Sequence, residues 1–264
     1  MNAFSEQRVV VVGAGIAGLA TALRLAPLPV TLLVKAPLGT QASTPWAQGG
    51  IAAAMGEGDA PAFHAADTIK AGAFHCDEEI VTSVVAEAPA CIEDLIRDGV
   101  NFDRDAQGAL AFGLEAAHTQ RRIVHAGGDA TGLQVVNALI KAAVAAPHIE
   151  ILDDVIVTEL VTEEEAVRGV KGLRAGAPFY MPARAVVLAT GGTGGLYANT
   201  TNPIGSIGSG FVLAARAGAV LRDVEFVQFH PTAMAVGRDP MPLATEAPRW
   251  PRKKAGRCRW RPTS

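Results

Sequence analysis

An α/β fold with a parallel sheet at its centre and a small antiparallel β-layer is predicted by three features of the sequence. Residues 9–12 are four consecutive valines, a run suited to a strand buried on both faces. Gly13, Gly15 and Gly18 follow at once in the G-x-G-x-x-G spacing and open an Ala/Leu-rich helix. Further apolar runs at 29–34 and 185–189 suit neighbouring parallel strands. In such a strand–turn–helix unit Gly13 allows the tight turn and Gly15 lets backbone approach a pyrophosphate. Gly18 lets the helix pack closely on the strand. The N–H groups and dipole of that helix then face the phosphates, as in a Rossmann-like dinucleotide site. The motif alone leaves open which dinucleotide binds.

Composition sets the outer bounds. The chain has 264 residues, 49% of them apolar and 19% charged, enough for a sizeable core. No stretch approaches the ~20 unbroken apolar residues of a membrane span. The apolar run from Val9 does not read as a secretory segment, because its glycines sit at phosphate-binding positions and Glu6 precedes it. Cys76, Cys91 and Cys258 are odd in number and lack metal-ligand spacing, which points to a reducing, cytoplasmic setting and no metal. The net charge of −3 hides an asymmetry. Residues 1–247 carry 16 of the 23 Lys/Arg and all 26 Asp/Glu. Residues 248–264 hold seven Lys/Arg, no acid, three prolines and two of the three tryptophans. A basic end of this kind could be a nucleic-acid or membrane arm, but its composition is unlike anything before it.

The elements follow in order. The strand at 29–34 ends in Val34 and Lys35, where a dinucleotide fold often places an acid for a ribose hydroxyl, and this weakens a plain NAD reading. Residues 36–50 form a Gly/Ser/Thr/Pro loop. Helices are predicted at 61–72 and 78–98, the second capped by Asp77 with Glu78 and Glu79 in its first turn. Pro89 is expected to break that second segment into two shorter helices. Residues 129–132 lead into a helix that runs to about Ala146 and stops at Pro147. Strands at 149–153, 155–161 and 167–173 are expected to form a β-meander. The run at 185–189 then returns to the first sheet as a central parallel strand. No internal repeat or low-complexity segment interrupts the chain.

Three more segments add chemistry: Ser43-Thr44-Pro45-Trp46-Ala47-Gln48-Gly49-Gly50, then Ala189-Thr190-Gly191-Gly192, then Glu225-Phe226-Val227-Gln228-Phe229-His230-Pro231-Thr232. Together with the opening glycines, this ordered set resembles the flavoprotein family of succinate dehydrogenase, fumarate reductase and L-aspartate oxidase, most closely its aspartate-oxidising branch. The resemblance runs from about Arg8 to Ala247. It implies FAD held by Gly13, Gly15, Gly18, Lys35, Ser43, Thr44, Ala47, Gln48, Gly49, Gly50, Ala189, Thr190 and Gly191. The 47–50 loop would run beside the isoalloxazine, where backbone N–H groups can stabilise a reduced, anionic flavin. Ser43 stands where succinate dehydrogenases carry the histidine that links to the flavin, so the resemblance implies non-covalent FAD.

His230, expected at the end of an apolar strand, matches the histidine that holds a substrate carboxylate, and Thr245 in the Thr245-Glu246 pair matches its threonine partner. Glu115, in Gly113-Leu114-Glu115-Ala116-Ala117-His118-Thr119, matches the acid placed near the ammonium of an amino-acid substrate. Arg121 and Arg122 read as structural or phosphate-side residues. Gly208-Ser209-Gly210 departs from the family's Gly-Asp-Gly, although a helix can still start at a small polar residue.

Beyond Ala247 the resemblance stops. The expected division is an incomplete FAD-binding domain at 1–225, the start of a truncated capping or substrate domain at 226–247, and a basic tail at 248–264 read as a shifted frame. The family's acid–base arginine matches no residue here, so the catalytic residue is unassigned. The resemblance implies oxidation of L-aspartate to iminoaspartate, with electrons passed to oxygen or fumarate. That reaction begins NAD synthesis and links the protein to quinolinate synthase. The chain as written is expected to be weakly active or inactive. The rivals are a succinate dehydrogenase or fumarate reductase subunit, disfavoured by Ser43 and Glu115, and a non-catalytic FAD-binding remnant. No nucleic-acid or membrane partner is expected.

Overall fold

The computed structural model describes residues 8–230 and 232–244. Its first half contains β1 (Val9–Val12), α1 (Ile16–Arg24), β2 (Val30–Leu33), β3 (Ile51–Ala52), α2 (Pro61–Ala71), α3 (Glu78–Arg97), β4 (Phe112–Gly113) and β5 (Ile123–Val124). The second half contains α4 (Thr131–Ala145), β6 (Ile149–Leu152), β7 (Val155–Glu163), β8 (Ala166–Arg174), β9 (Ala177–Pro182), β10 (Ala185–Leu188) and α5 (Ser209–Arg216). Three sheets result: a parallel sheet in the order β10-β1-β2-β6, and antiparallel sheets in the orders β3-β5-β4 and β7-β8-β9.

The four valines of β1 are buried because both faces of the parallel sheet are covered. Val9 and Val11 pack with Leu32 against Leu19 of α1 and Val135, Val136 and Leu139 of α4. Val10 and Val12 pack with Leu33 against Val155 and Val170 of the β7–β9 layer. Alternate side chains thus enter separate cores, so the strand reads as continuously apolar.

Several expectations are corrected. Ile149–Leu152 does not join the meander. The helix α4 before it supplies the crossover that lays β6 parallel to β2, with Val30 opposite Ile149 and Leu33 opposite Leu152. Asp154 then turns the chain at φ 54° into β7, and the third meander strand is β9. The strand β10 returns beside β1 as expected, but it lies at the sheet's edge among the described residues rather than at its centre.

Pro89 does not break its helix: α3 runs unbroken from Glu78 to Arg97. Val85, Ile92 and Leu95 form one buried stripe, and proline removes a single backbone bond, to the Val85 carbonyl, which that burial outweighs. Ser209 is the first helical residue of α5, while Gly208, at φ 73°, supplies the turn before it. Residues 225–229 form no strand. Phe226 and Phe229 are largely exposed, so no buried face stabilises extended pairing there.

Candidate active site

A cleft of about 840 Å³ opens where β1, β2 and β10 end together. Its wall is drawn from the residues that follow these strands, including Gly13, Lys35 and Ala189, with Gly15, Ser43, Thr44, Thr190 and Gly191 around them. Ligands of parallel sheets bind at such carboxyl ends. Gly13 adopts φ 108°, and a Cβ there would collide with the Ala189 carbonyl oxygen. A Cβ on Gly18 would strike the Gly13 carbonyl, so Gly18 shapes the turn from behind rather than lining the cleft. Gly15 meets nothing closer than the Thr44 hydroxyl, at 3.4 Å. A Cβ there would make only ordinary van der Waals contacts, so packing within the protein does not itself require the glycine.

The Thr44 hydroxyl accepts a 3.0 Å hydrogen bond from the Ile16 N–H at the head of α1, and Ser43 Oγ donates to Asn202 Oδ1 at 3.1 Å. Lys35 Nζ donates to the Gly205 carbonyl at 2.5 Å, and burial lowers its pKa. The volume lies within the range of cofactor sites, and the wall offers a helix N-terminus, a lysine and an unfilled glycine path. This donor set fits a dinucleotide diphosphate.

Ala47, Gln48, Gly49 and Gly50 do not line this cleft. They lead away from it into β3, anchored where the Gly132 N–H of α4 donates to the Ala47 carbonyl at 3.0 Å. Beyond them, Glu115 Oε1 lies 3.3 Å from His125 Nε2, with side-chain exposures of 43% and 28%. Sequence reasoning passed over His125. The strand pairing held no signal: β4 and β5 are antiparallel with Gly113 opposite Ile123, so Glu115 and His125 lie to either side of that pair and meet only through the fold of the loop after β4.

A second group missed by the sequence reading lies under the Glu115 loop. Arg122 is fully buried and grips Asp59 through Nε and Nη2, both at 2.9 Å, and Asp67 through Nη1 at 2.8 Å. The N–H and hydroxyl of Thr119 also donate to Asp67 Oδ2 at 2.8 Å. Burial pushes the Asp67 pKa up, but the Thr119 and Arg122 hydrogen bonds outweigh it and the net shift is downward. His64 packs 5.5 Å from His118, and burial first, then Arg122 and His118, lowers its pKa. Nδ1 of each histidine is buried without a hydrogen-bond partner among the described residues. Of the structural and phosphate-side roles that the sequence leaves open for Arg122, these contacts fit the structural one.

His230 is exposed, and its Nδ1 lies 3.1 Å from the Thr232 hydroxyl. It shares no hydrogen bond with Glu115 among the described residues. Thr245 lies outside the described residues. Among them, no group of His, Cys, Asp and Glu is arranged to hold a metal, and no helix is long and apolar enough to cross a membrane.

Comparison with known proteins agrees with the cleft. The chain is 54% identical over 240 residues to the L-aspartate oxidase of Mesorhizobium japonicum, covering 91% of this chain and 47% of that one. It is 51% identical over 251 residues to the L-aspartate oxidase of Agrobacterium fabrum, covering 94% and 48%. The chain thus spans about half the length of these curated relatives. Among solved structures, the Mycobacterium smegmatis Sdh1 complex with UQ1 matches at TM-score 0.80 and 33% identity, over 86% of this chain and 41% of that one. The E. coli quinol fumarate reductase FrdA matches at TM-score 0.83 and 29% identity, over 90% and 41%. The family described as FAD binding domain matches residues 8–251. Over nearly its whole length, therefore, this chain belongs to the FAD binding domain family, and FAD is its cofactor.

Proposed function

We propose that the polypeptide carrying these residues oxidises L-aspartate to iminoaspartate with non-covalently held FAD, passing the electrons to oxygen or fumarate. One observation carries the choice of substrate. Glu115 presents a half-exposed carboxylate beside His125, in the loop just after β4 of the small sheet whose strand β3 continues the 47–50 loop. An acid there suits an ammonium group, which aspartate has and succinate lacks. The names of the relatives support the same reading.

FAD, when bound, accepts the two electrons that leave the substrate. The chain's own residues bind and orient. The head of α1 and the Gly15 path receive the diphosphate, and the 47–50 backbone flanks the flavin. Glu115 holds the substrate ammonium, while His230, and Thr245 outside the described residues, hold a carboxylate. Residues 226–247 begin the domain that covers the substrate. Ser43 in place of a linking histidine supports a non-covalent cofactor. The reaction would begin NAD synthesis, in the cytoplasm, and supply quinolinate synthase.

The test uses the full-length polypeptide loaded with FAD. It should form hydrogen peroxide from L-aspartate in air and reduce fumarate without oxygen, and acid precipitation should release the flavin intact. Oxidation of succinate without turnover of aspartate would overturn the reading.

A further inference from the structure

We propose that His125 is a positioning residue for amino-acid recognition, its imidazole holding the Glu115 carboxylate in place for the substrate ammonium. The inference rests on the substrate reading of Glu115 and adds the group that orients it.

The geometry begins with strand alternation. In the β3-β5-β4 sheet Ile51 opposes Val124, so Gly50 and His125 are the next cross-strand neighbours. A Cβ on Gly113 would come within 3.0 Å of His125 Cε1; one on Gly50 would strike the Val124 carbonyl and, at 2.5 Å, Ile123 Cγ2 before reaching His125 Cδ2 at 3.1 Å. The imidazole therefore occupies a slot that Gly113, on the strand leading to Glu115, leaves clear, with Gly50 at the end of the 47–50 loop beside it. The His125 carbonyl accepts from the Asp103 N–H at 2.7 Å, which fixes the backbone below the ring.

A carboxylate offers only acceptors, so the 3.3 Å contact from Nε2 to Glu115 Oε1 requires the hydrogen on Nε2. Glu115 Oε2 accepts no hydrogen bond among the described residues. A glutamate has three rotatable bonds to immobilise when it grips a ligand. Holding one oxygen beforehand reduces what must be ordered on binding, with the second oxygen left for the ammonium. Were the ring simply packing, an apolar side chain would fill the slot equally well.

The test measures KM and kcat for L-aspartate, Ki for succinate and Kd for FAD in the full-length, FAD-loaded polypeptide. The variants are His125→Ala, His125→Gln, Glu115→Gln and the double variant His125→Ala with Glu115→Gln. His125→Ala should raise KM for L-aspartate roughly three- to tenfold, the scale of a half-exposed charge-assisted hydrogen bond. The succinate Ki, the FAD Kd and kcat should stay within about twofold. His125→Gln, whose amide N–H can donate to the same oxygen, should recover most of the loss. In the Glu115→Gln background His125→Ala should add nothing, because no carboxylate remains to be held. Equal losses for aspartate and succinate, or the same loss in both backgrounds, would overturn the role and leave the ring as packing. A silent His125→Ala beside an effective Glu115→Gln overturns this inference alone. If Glu115→Gln leaves the preference for aspartate over succinate unchanged, the substrate reading fails and this inference fails with it.

Discussion

Gly13 and Gly15 stand two positions apart and serve different ends. Gly13 combines φ 108° with the approach of the Ala189 carbonyl, so any side chain there strains the backbone and separates β1 from β10. Gly13→Ala should lower the urea midpoint of the chain even without cofactor. A Cβ on Gly15 would make only ordinary van der Waals contacts, with the Thr44 hydroxyl at 3.4 Å and Ala42 Cβ at 3.9 Å, which predicts a cleaner separation. Gly15→Val should leave the far-ultraviolet circular dichroism and the urea midpoint of the FAD-free chain unchanged, while FAD retention on gel filtration is lost. An apo form destabilised as much as Gly13→Ala would contradict that division. For the substrate, His230→Ala in the full-length polypeptide should raise KM for aspartate with kcat less affected, the pattern of a lost ground-state contact. These glycines were legible because their spacing encodes a backbone path. His125 was not, because its slot exists only once residues 50, 113 and 125 meet across three short strands.

The small sheet rests on a charged base, and that base sets a dependence on pH. His64 has a folded pKa below the ordinary 6.5, so the unfolded chain takes up its proton first as the pH falls. Its contribution is complete above about 6.5 and declines below that value. Asp67 is also depressed, so its contribution is complete above about 3.8 and is lost as the pH falls through its folded value. Urea midpoints should therefore hold steady from pH 8 to 7 and fall between pH 6.5 and 5, and His64→Leu should flatten that limb. Arg122→Leu would leave Asp59 and Asp67 buried and unpaired, a loss of about 3–5 kcal/mol measured by denaturation at pH 7.5. In α3, Pro89→Ala restores a backbone donor and should raise stability by about 1 kcal/mol or more. Apolar runs and helix periodicity made most elements legible. The order of strands was not, because Ile149–Leu152 carries the same alternation in either sheet and only the crossover through α4 decides between them. Pro89 misled because local propensity was set against a buried stripe that only the fold reveals.

Taken whole, the molecule gathers its cofactor wall from segments spread between Val12 and Leu221. Ligand binding should therefore stabilise the entire domain. At free FAD of 100 times its Kd the stabilisation should approach about 2.7 kcal/mol, read as a concentration-dependent rise in Tm, and NAD at the same concentration should give less. Val220, 92% exposed, Phe226 and Phe229, 83% exposed, are apolar side chains left uncovered within one ten-residue segment. The sequence marks His230, next to Phe229, for its chemistry. The order β10-β1-β2-β6 carries one more consequence, for the chain as it is made. Val9 finds its first neighbour at Val30, within a single helix's reach, but its second at Ala185. On a ribosome adding roughly 5–20 residues per second, β1 would wait about 8–31 s between those two partners. During that wait an all-valine edge has nothing to pair with, and such edges template association with other chains. An inner strand of the finished sheet is thus the hazard of its synthesis, a folding problem of high contact order.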